Sequence, residues 1–139
     1  MTITTTPALP VRDGGGRRLS IRGGTVTVRA ASERLTVTDH ELPAGFGGPP
    51  LHVHPGFDEV FFVLAGTLTV RAGDDVHVLD QGSSIHVPGD VPHTFAAEEA
   101  VRFTVAMSPG GFEKYFEALA AGDEDAARAA GDAMGYRPT

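Results

Sequence analysis

No cysteine occurs in the 139 residues, which excludes disulfides, thiolate metal sites and cysteine nucleophiles together. No apolar run approaches the roughly 20 residues that a membrane-spanning helix needs. The opening MTITTTPALP lacks a basic-then-apolar signal pattern. The expectation is a cytosolic, cytoplasmic protein with no membrane partner. Positive charge is also scarce, 11 basic against 18 acidic residues, for a net charge of −7. Phosphate contacts need a basic stripe, so nucleic acid is not an expected partner. Arg12, Arg17, Arg18, Arg22, Arg29 and Arg34 are spread out rather than packed into one run, and read as solvated surface. The remainder is a globular balance, 41% hydrophobic and 21% charged, at a length that suits one domain.

Residues 1–16 read as a flexible leader, with a threonine run, Pro7, Pro10 and Gly14-Gly15-Gly16. From Leu19 the pattern becomes short alternating segments: 19–21, 25–30, 35–42, 60–64, 67–72, 76–79, 84–87 and 101–107. Turn residues separate them, and no helical period intervenes. Such a chain is all-β, an antiparallel sandwich or barrel spanning 17–107. The tail, 108–139, changes period: Phe112, Tyr115, Phe116 and Leu119 form one helical stripe. Ser108-Pro109 reads as its cap and first turn, and Gly122 as its stop. A second, alanine-rich helix is expected from Asp123 to near Gly135. The stripe is expected to pack on the outside of the barrel rather than to box a ligand.

Six histidines are present, and three stand out by position. His52 and His54 are two apart at the edge of a strand, so their side chains share a face. Glu59 follows Pro55-Gly56, where a kink is needed to bring it to that same face. His93 comes after Pro88-Gly89-Asp90-Val91-Pro92, a turn rich in chain breakers. Three imidazoles and a carboxylate converging inside a barrel suit one divalent transition metal, with positions left for water or substrate. Ligand type alone serves Fe, Mn, Co, Ni, Cu and Zn. His40, His77 and His86 have no partner at ligand spacing and read as surface or core residues. Asp58 reads as solvated.

The run His52-Val53-His54-(55–58)-Glu59-(60–65)-Gly66 resembles the first cupin motif, and Gly82-(83–87)-Pro88-Gly89-Asp90-Val91-Pro92-His93 resembles the second. The likeness implies a cupin double-stranded β-helix, or jelly-roll, barrel with a short C-terminal helical tail. It also implies that His52, His54, Glu59 and His93 are metal ligands. Two departures stand out: Phe46 takes the place of the glycine that opens the first motif, and Asp90 that of a glycine in the second. The stretches 48–70, 87–95 and 107–119 are similar to small single-domain bacterial cupins of the quercetin dioxygenase-like group.

Strand parity places Phe61, Val63, Phe95, Phe103 and Val105 around the metal as an apolar substrate pocket. The leading expectation is a metal-dependent enzyme, a dioxygenase-like oxidoreductase acting on a small aromatic or polyketide-like molecule. Glu59 is its ligand and candidate catalytic base. A non-oxidative cyclase, isomerase, decarboxylase or lyase is the second reading, and a non-catalytic ligand-binding cupin the third. The resemblance further implies a homodimer.

Overall fold

The computed structural model describes residues 7–139. Part of the expected leader, 1–6, lies outside the described residues. Residues 7–16 form no helix or strand, and the Arg29 guanidinium donates to the carbonyls of Val11, Arg12 and Gly15 at 3.0, 3.2 and 3.3 Å.

The alternating segments fold as strands. They are β1 (Arg17–Ile21), β2 (Gly24–Ala31), β3 (Thr36–Leu42), β4 (His52–Val53), β5 (Asp58–Ala65), β6 (Leu68–Ala72), β7 (Asp75–Leu79), β8 (Ser84–Val87), β9 (His93–Ala96), β10 (Val101–Ser108) and β11 (Arg137–Pro138). Every ladder is antiparallel, and two sheets result, ordered β1-β2-β3-β10-β5-β8 and β11-β4-β9-β6-β7. Strand β5 shows how the sequence dictates the layers. Glu59, Phe61 and Val63 point inward and are buried, whereas Asp58, Val60 and Phe62 point out and are exposed. Phe61, Val63, Leu68, Val70 and Phe103 have no exposed surface and form the centre of the core. Burying each such side chain stabilises the fold by about 1.5–3 kcal/mol.

The tail holds α1 (Glu113–Ala120) and α2 (Glu124–Ala133). Both end in the same way. After α1, Gly122 (φ +70°) and Asp123 donate to Leu119 and Ala118; after α2, Gly135 (φ +69°) and Tyr136 donate to Asp132 and Gly131. Asp123 also caps α2, its Oδ1 accepting from the Ala126 amide at 2.9 Å.

Ser108-Pro109 does not cap α1. That helix starts at Glu113, because the segment before it is committed elsewhere: Gly110 donates to the Glu33 carbonyl at 2.9 Å and Gly111 to Thr36 Oγ1 at 3.1 Å. Nor does the helical stripe lie on the outside of the barrel. Phe112, Tyr115, Phe116 and Leu119 line its cavity. Strand β11 has no counterpart in the sequence pattern, since two residues carry no readable period. It adds to the edge of β4, setting Arg137 opposite Val53 and Pro138 opposite His52.

Candidate metal centre

Strands β4 and β9 pair so that His52 lies directly opposite His93. Cross-strand neighbours have adjacent side chains, and the two rings are 4.4 Å apart between centroids. His54 follows just past β4 and turns to the same side. The chain then reverses through Pro55-Gly56, where Gly56 has φ +85° and Phe57 donates back to the His54 carbonyl at 3.1 Å. This is the expected kink, and it delivers Glu59 on β5 to the cluster from the opposite sheet. His52, His54, His93 and Glu59 are all buried.

The ligand nitrogens of His52, His54 and His93 lie within 4.8 Å of one another. Glu59 joins through two of them: its Oε2 is 3.0 Å from His54 Nε2 and 2.8 Å from His93 Nε2. Each imidazole is oriented from behind. Nδ1 of His52 donates to the Pro50 carbonyl at 2.8 Å, that of His54 to Phe57 at 3.1 Å, and that of His93 to Val91 at 2.9 Å. A carbonyl oxygen only accepts, so each Nδ1 carries a hydrogen; a neutral ring then turns an Nε2 lone pair inward toward a cation, and a ring protonated on Nε2 as well donates from it to Glu59.

Nε2 of His54 and Nε2 of His93 are 3.1 Å apart. Two lone pairs at that separation repel unless a proton or a metal cation lies between them. The donor set therefore fits a divalent ion, and the His52/His54/His93 cluster could hold one.

The electrostatics agree. Burial pushes Glu59 up, but hydrogen bonds from His54 and His93 outweigh it and hold the carboxyl down to about 2. His93 is lowered by burial yet raised on balance by its hydrogen bond to Glu59 and that carboxylate's charge. His52 is pushed down to about 4, chiefly by burial, with the Pro50 carbonyl opposing and the neighbouring imidazoles assisting.

Glycine is needed at Gly89, one residue before the position the motif suggests. A Cβ there would lie 2.8–2.9 Å from the backbone of Gly56 and Phe57, so the two motif loops pack main chain against main chain. Asp90 is exposed and leaves that contact undisturbed. Phe46, in the place of the other motif glycine, forms a bridge with Ala97 and stacks on Phe95.

A cavity of about 100 Å³ opens beside the cluster. His52 and Glu59 form one part of its wall, and Phe61, Phe95 and Val105 join them as the sequence pattern anticipates. Val63 and Phe103 do not reach that wall; both are wholly buried in the core behind it. Phe46, Phe112, Tyr115, Phe116 and Tyr136 complete an aromatic lining. The Tyr136 ring stacks on His52 at 4.7 Å, and Phe112 meets His54 edge-on at 5.8 Å. Sequence reasoning missed these tail residues, since nothing local shows that residues 112–136 return to the cavity.

His40 also borders it, from β3, while His77 and His86 are exposed. His86 instead faces Asp58 on the outer surface, Nε2 to Oδ2 at 3.2 Å.

Two antiparallel sheets closed into a jelly roll, with a histidine cluster buried between them, define a class of small β-barrel proteins. A family model for the cupin domain matches residues 38–107, and the chain belongs to that family. No curated protein matches the chain by sequence. Among solved structures, an RmlC-like cupin from Shewanella frigidimarina is 22% identical with a TM-score of 0.64, over 68% of this chain and 85% of its own. KdgF from a Halomonas species is 18% identical with a TM-score of 0.65, over 75% of this chain and 94% of its own. The cupin domain of Schizosaccharomyces pombe Cnp3 is 17% identical with a TM-score of 0.57, over 70% and 73%. These likenesses establish the fold. Among the described residues no helix is long and apolar enough to cross a membrane.

Proposed function

We propose that this cupin is a metal-dependent enzyme acting on a small aromatic or polyketide-like molecule, and specifically a dioxygenase. One observation carries the reading: three Nε2 lone pairs and a carboxylate meet at a single buried point on the wall of an aromatic-lined cavity. A divalent ion at that point supplies Lewis acidity or redox chemistry toward an oxygen donor. The protein's own part is orientation and exclusion of water. Backbone carbonyls fix the imidazoles, Tyr136 and Phe112 cover His52 and His54, and Phe61 and Phe95 offer flat apolar surface to a ring. Glu59 is the acidic group in the cavity wall and is assigned the proton transfer.

The test is metal content per chain, followed by oxygen uptake with single-ring phenols. Near-stoichiometric metal with uptake coupled to turnover supports the reading. Conversion without uptake moves it to a cyclase, isomerase, decarboxylase or lyase, and binding without conversion leaves a ligand-binding barrel. Glu59→Gln is expected to keep the fold and much of the metal while losing turnover by about 100-fold. Retained turnover removes the proton-transfer role. The same reading includes a homodimer, supported by the position of β1 at a sheet edge. A monomer in analytical ultracentrifugation overturns that part.

A further inference from the structure

Of the polar groups bordering the cavity, His52 and Glu59 belong to the metal centre. His40 does not. It lies on β3, is 5% exposed, and has its ring sandwiched by aromatics: Phe103 stacks on it at 4.9 Å and 7°, and Phe116 meets it edge-on at 5.4 Å. Its Nε2 is 2.8 Å from Thr38 Oγ1, on the same inward face of the strand. Among the described residues, Nδ1 has no hydrogen-bond partner. Yet every side-chain nitrogen or oxygen fully shut off from solvent has one. Nδ1 therefore has open space before it, and the space that His40 borders is the cavity.

A buried imidazole nitrogen left unpaired loses the hydrogen bonds it made to water, about 1–3 kcal/mol, unless something in the cavity restores them. We propose that His40 is a second polar recognition point in the cavity, hydrogen-bonding through Nδ1 to a neutral oxygen of the ligand, a hydroxyl or carbonyl remote from the metal. The ligand class is then a small ring bearing two oxygen functions, one for each pole. This rests on the cavity being the substrate site of the function proposed above.

Two features fit His40 to a neutral group rather than to a carboxylate. Burial pushes its pKa down to about 4, against the pull of Glu59 and Asp39, so the ring is uncharged near neutrality. Its partner is a hydroxyl, which both donates and accepts. If Thr38 donates to Nε2, Nδ1 carries a hydrogen for a carbonyl; if Thr38 accepts, Nδ1 offers a lone pair to a hydroxyl.

The test uses 4-hydroxybenzyl alcohol and 4-ethylphenol, rings of one shape in which a hydroxyl replaces a methyl. Both are titrated calorimetrically into the zinc-loaded and the metal-free chain, as wild type, His40→Leu and His40→Phe. The affinity ratio of the alcohol to the ethyl compound is expected to fall by about five- to tenfold in the variants, at unchanged zinc content. An unchanged ratio in a folded variant overturns the inference. If neither variant folds, the imidazole ¹⁵N spectrum of the wild type decides: the His40 Nδ1 resonance moves with the alcohol and not with the ethyl compound, and a static resonance overturns it. Zinc content of the wild type, measured separately, reports on the metal reading; the ratio in the metal-free chain reports on His40 alone.

Discussion

The cavity has histidines on two sides, and they are held in opposite ways. On the β4–β9 side, His52, His54 and His93 are each pinned through Nδ1 by a backbone carbonyl, leaving Nε2 inward. On the β3 side, His40 is pinned through Nε2 by the Thr38 hydroxyl, leaving Nδ1 inward. A carbonyl holds the hydrogen on Nδ1, so each neutral ring of the first group presents an Nε2 lone pair and suits a cation. A hydroxyl leaves the tautomer free, so His40 can answer a donor or an acceptor. The backbone thus shapes a cluster that could hold a metal ion, and a side chain shapes the proposed recognition point, from the same residue type.

Removing the pinned group has the largest expected effect. The double variant His52→Ala/His93→Ala should lower metal affinity beyond the roughly 100-fold that an outer hydrogen-bond partner commands, with bound metal lost in elemental analysis. Zinc, iron or manganese retained at wild-type stoichiometry would place the metal elsewhere.

Next comes pH. His40 titrates at about 4 in the fold against its ordinary value of 6.5, so the unfolded chain binds the extra proton between these limits. Its neutral form contributes fully above pH 6.5, and that contribution, on the order of 3 kcal/mol, is lost as pH falls toward 4. His52, also pushed down to about 4, adds a loss of the same sign, whereas Glu59, held to about 2, loses its contribution only below about 4.5. Denaturant melts of wild type and His40→Phe from pH 7 to 4.5 should show a shallower decline in the variant. Parallel curves would mean that His40 is not the buried neutral group described.

A smaller effect tests the pinning itself without touching a ligand. Gly89→Ala places a Cβ 2.9 Å from the Phe57 carbonyl oxygen that holds His54. The loop must shift, and metal affinity should fall by roughly tenfold, read by competition with a chelator. Unchanged affinity would show that the carbonyl does not set the ring. The smallest effect belongs to the outer surface: His86→Ala, which breaks an exposed pair with Asp58, should change stability by less than about 0.5 kcal/mol and leave metal binding alone.

Much of this was legible in the residues, and the failures have physical causes. Alternation in 60–64 and 101–107 gave the inward parity of Phe61 and Val105, because strand side chains repeat every two residues. Parity says which face a residue takes but not how deep it lies. Val63 and Phe103 share the inward face yet sit behind the cavity wall, and only packing of the two sheets distinguishes them. The start of α1 was misread because Gly110 and Gly111 bond to residues 33 and 36, far back in the chain.

By itself, the sequence determined the two-motif spacing, the all-β alternation, the two helix stops at Gly122 and Gly135, and the identity of the four residues that converge. These are local properties, set by turn chemistry and side-chain period. The tertiary structure alone decided which nitrogen each imidazole turns inward, that His40 opens onto the cavity, and that Tyr136 and the α1 stripe close it. Those outcomes depend on carbonyls and rings brought together from β1 through β11, and no local pattern records which distant surfaces will meet.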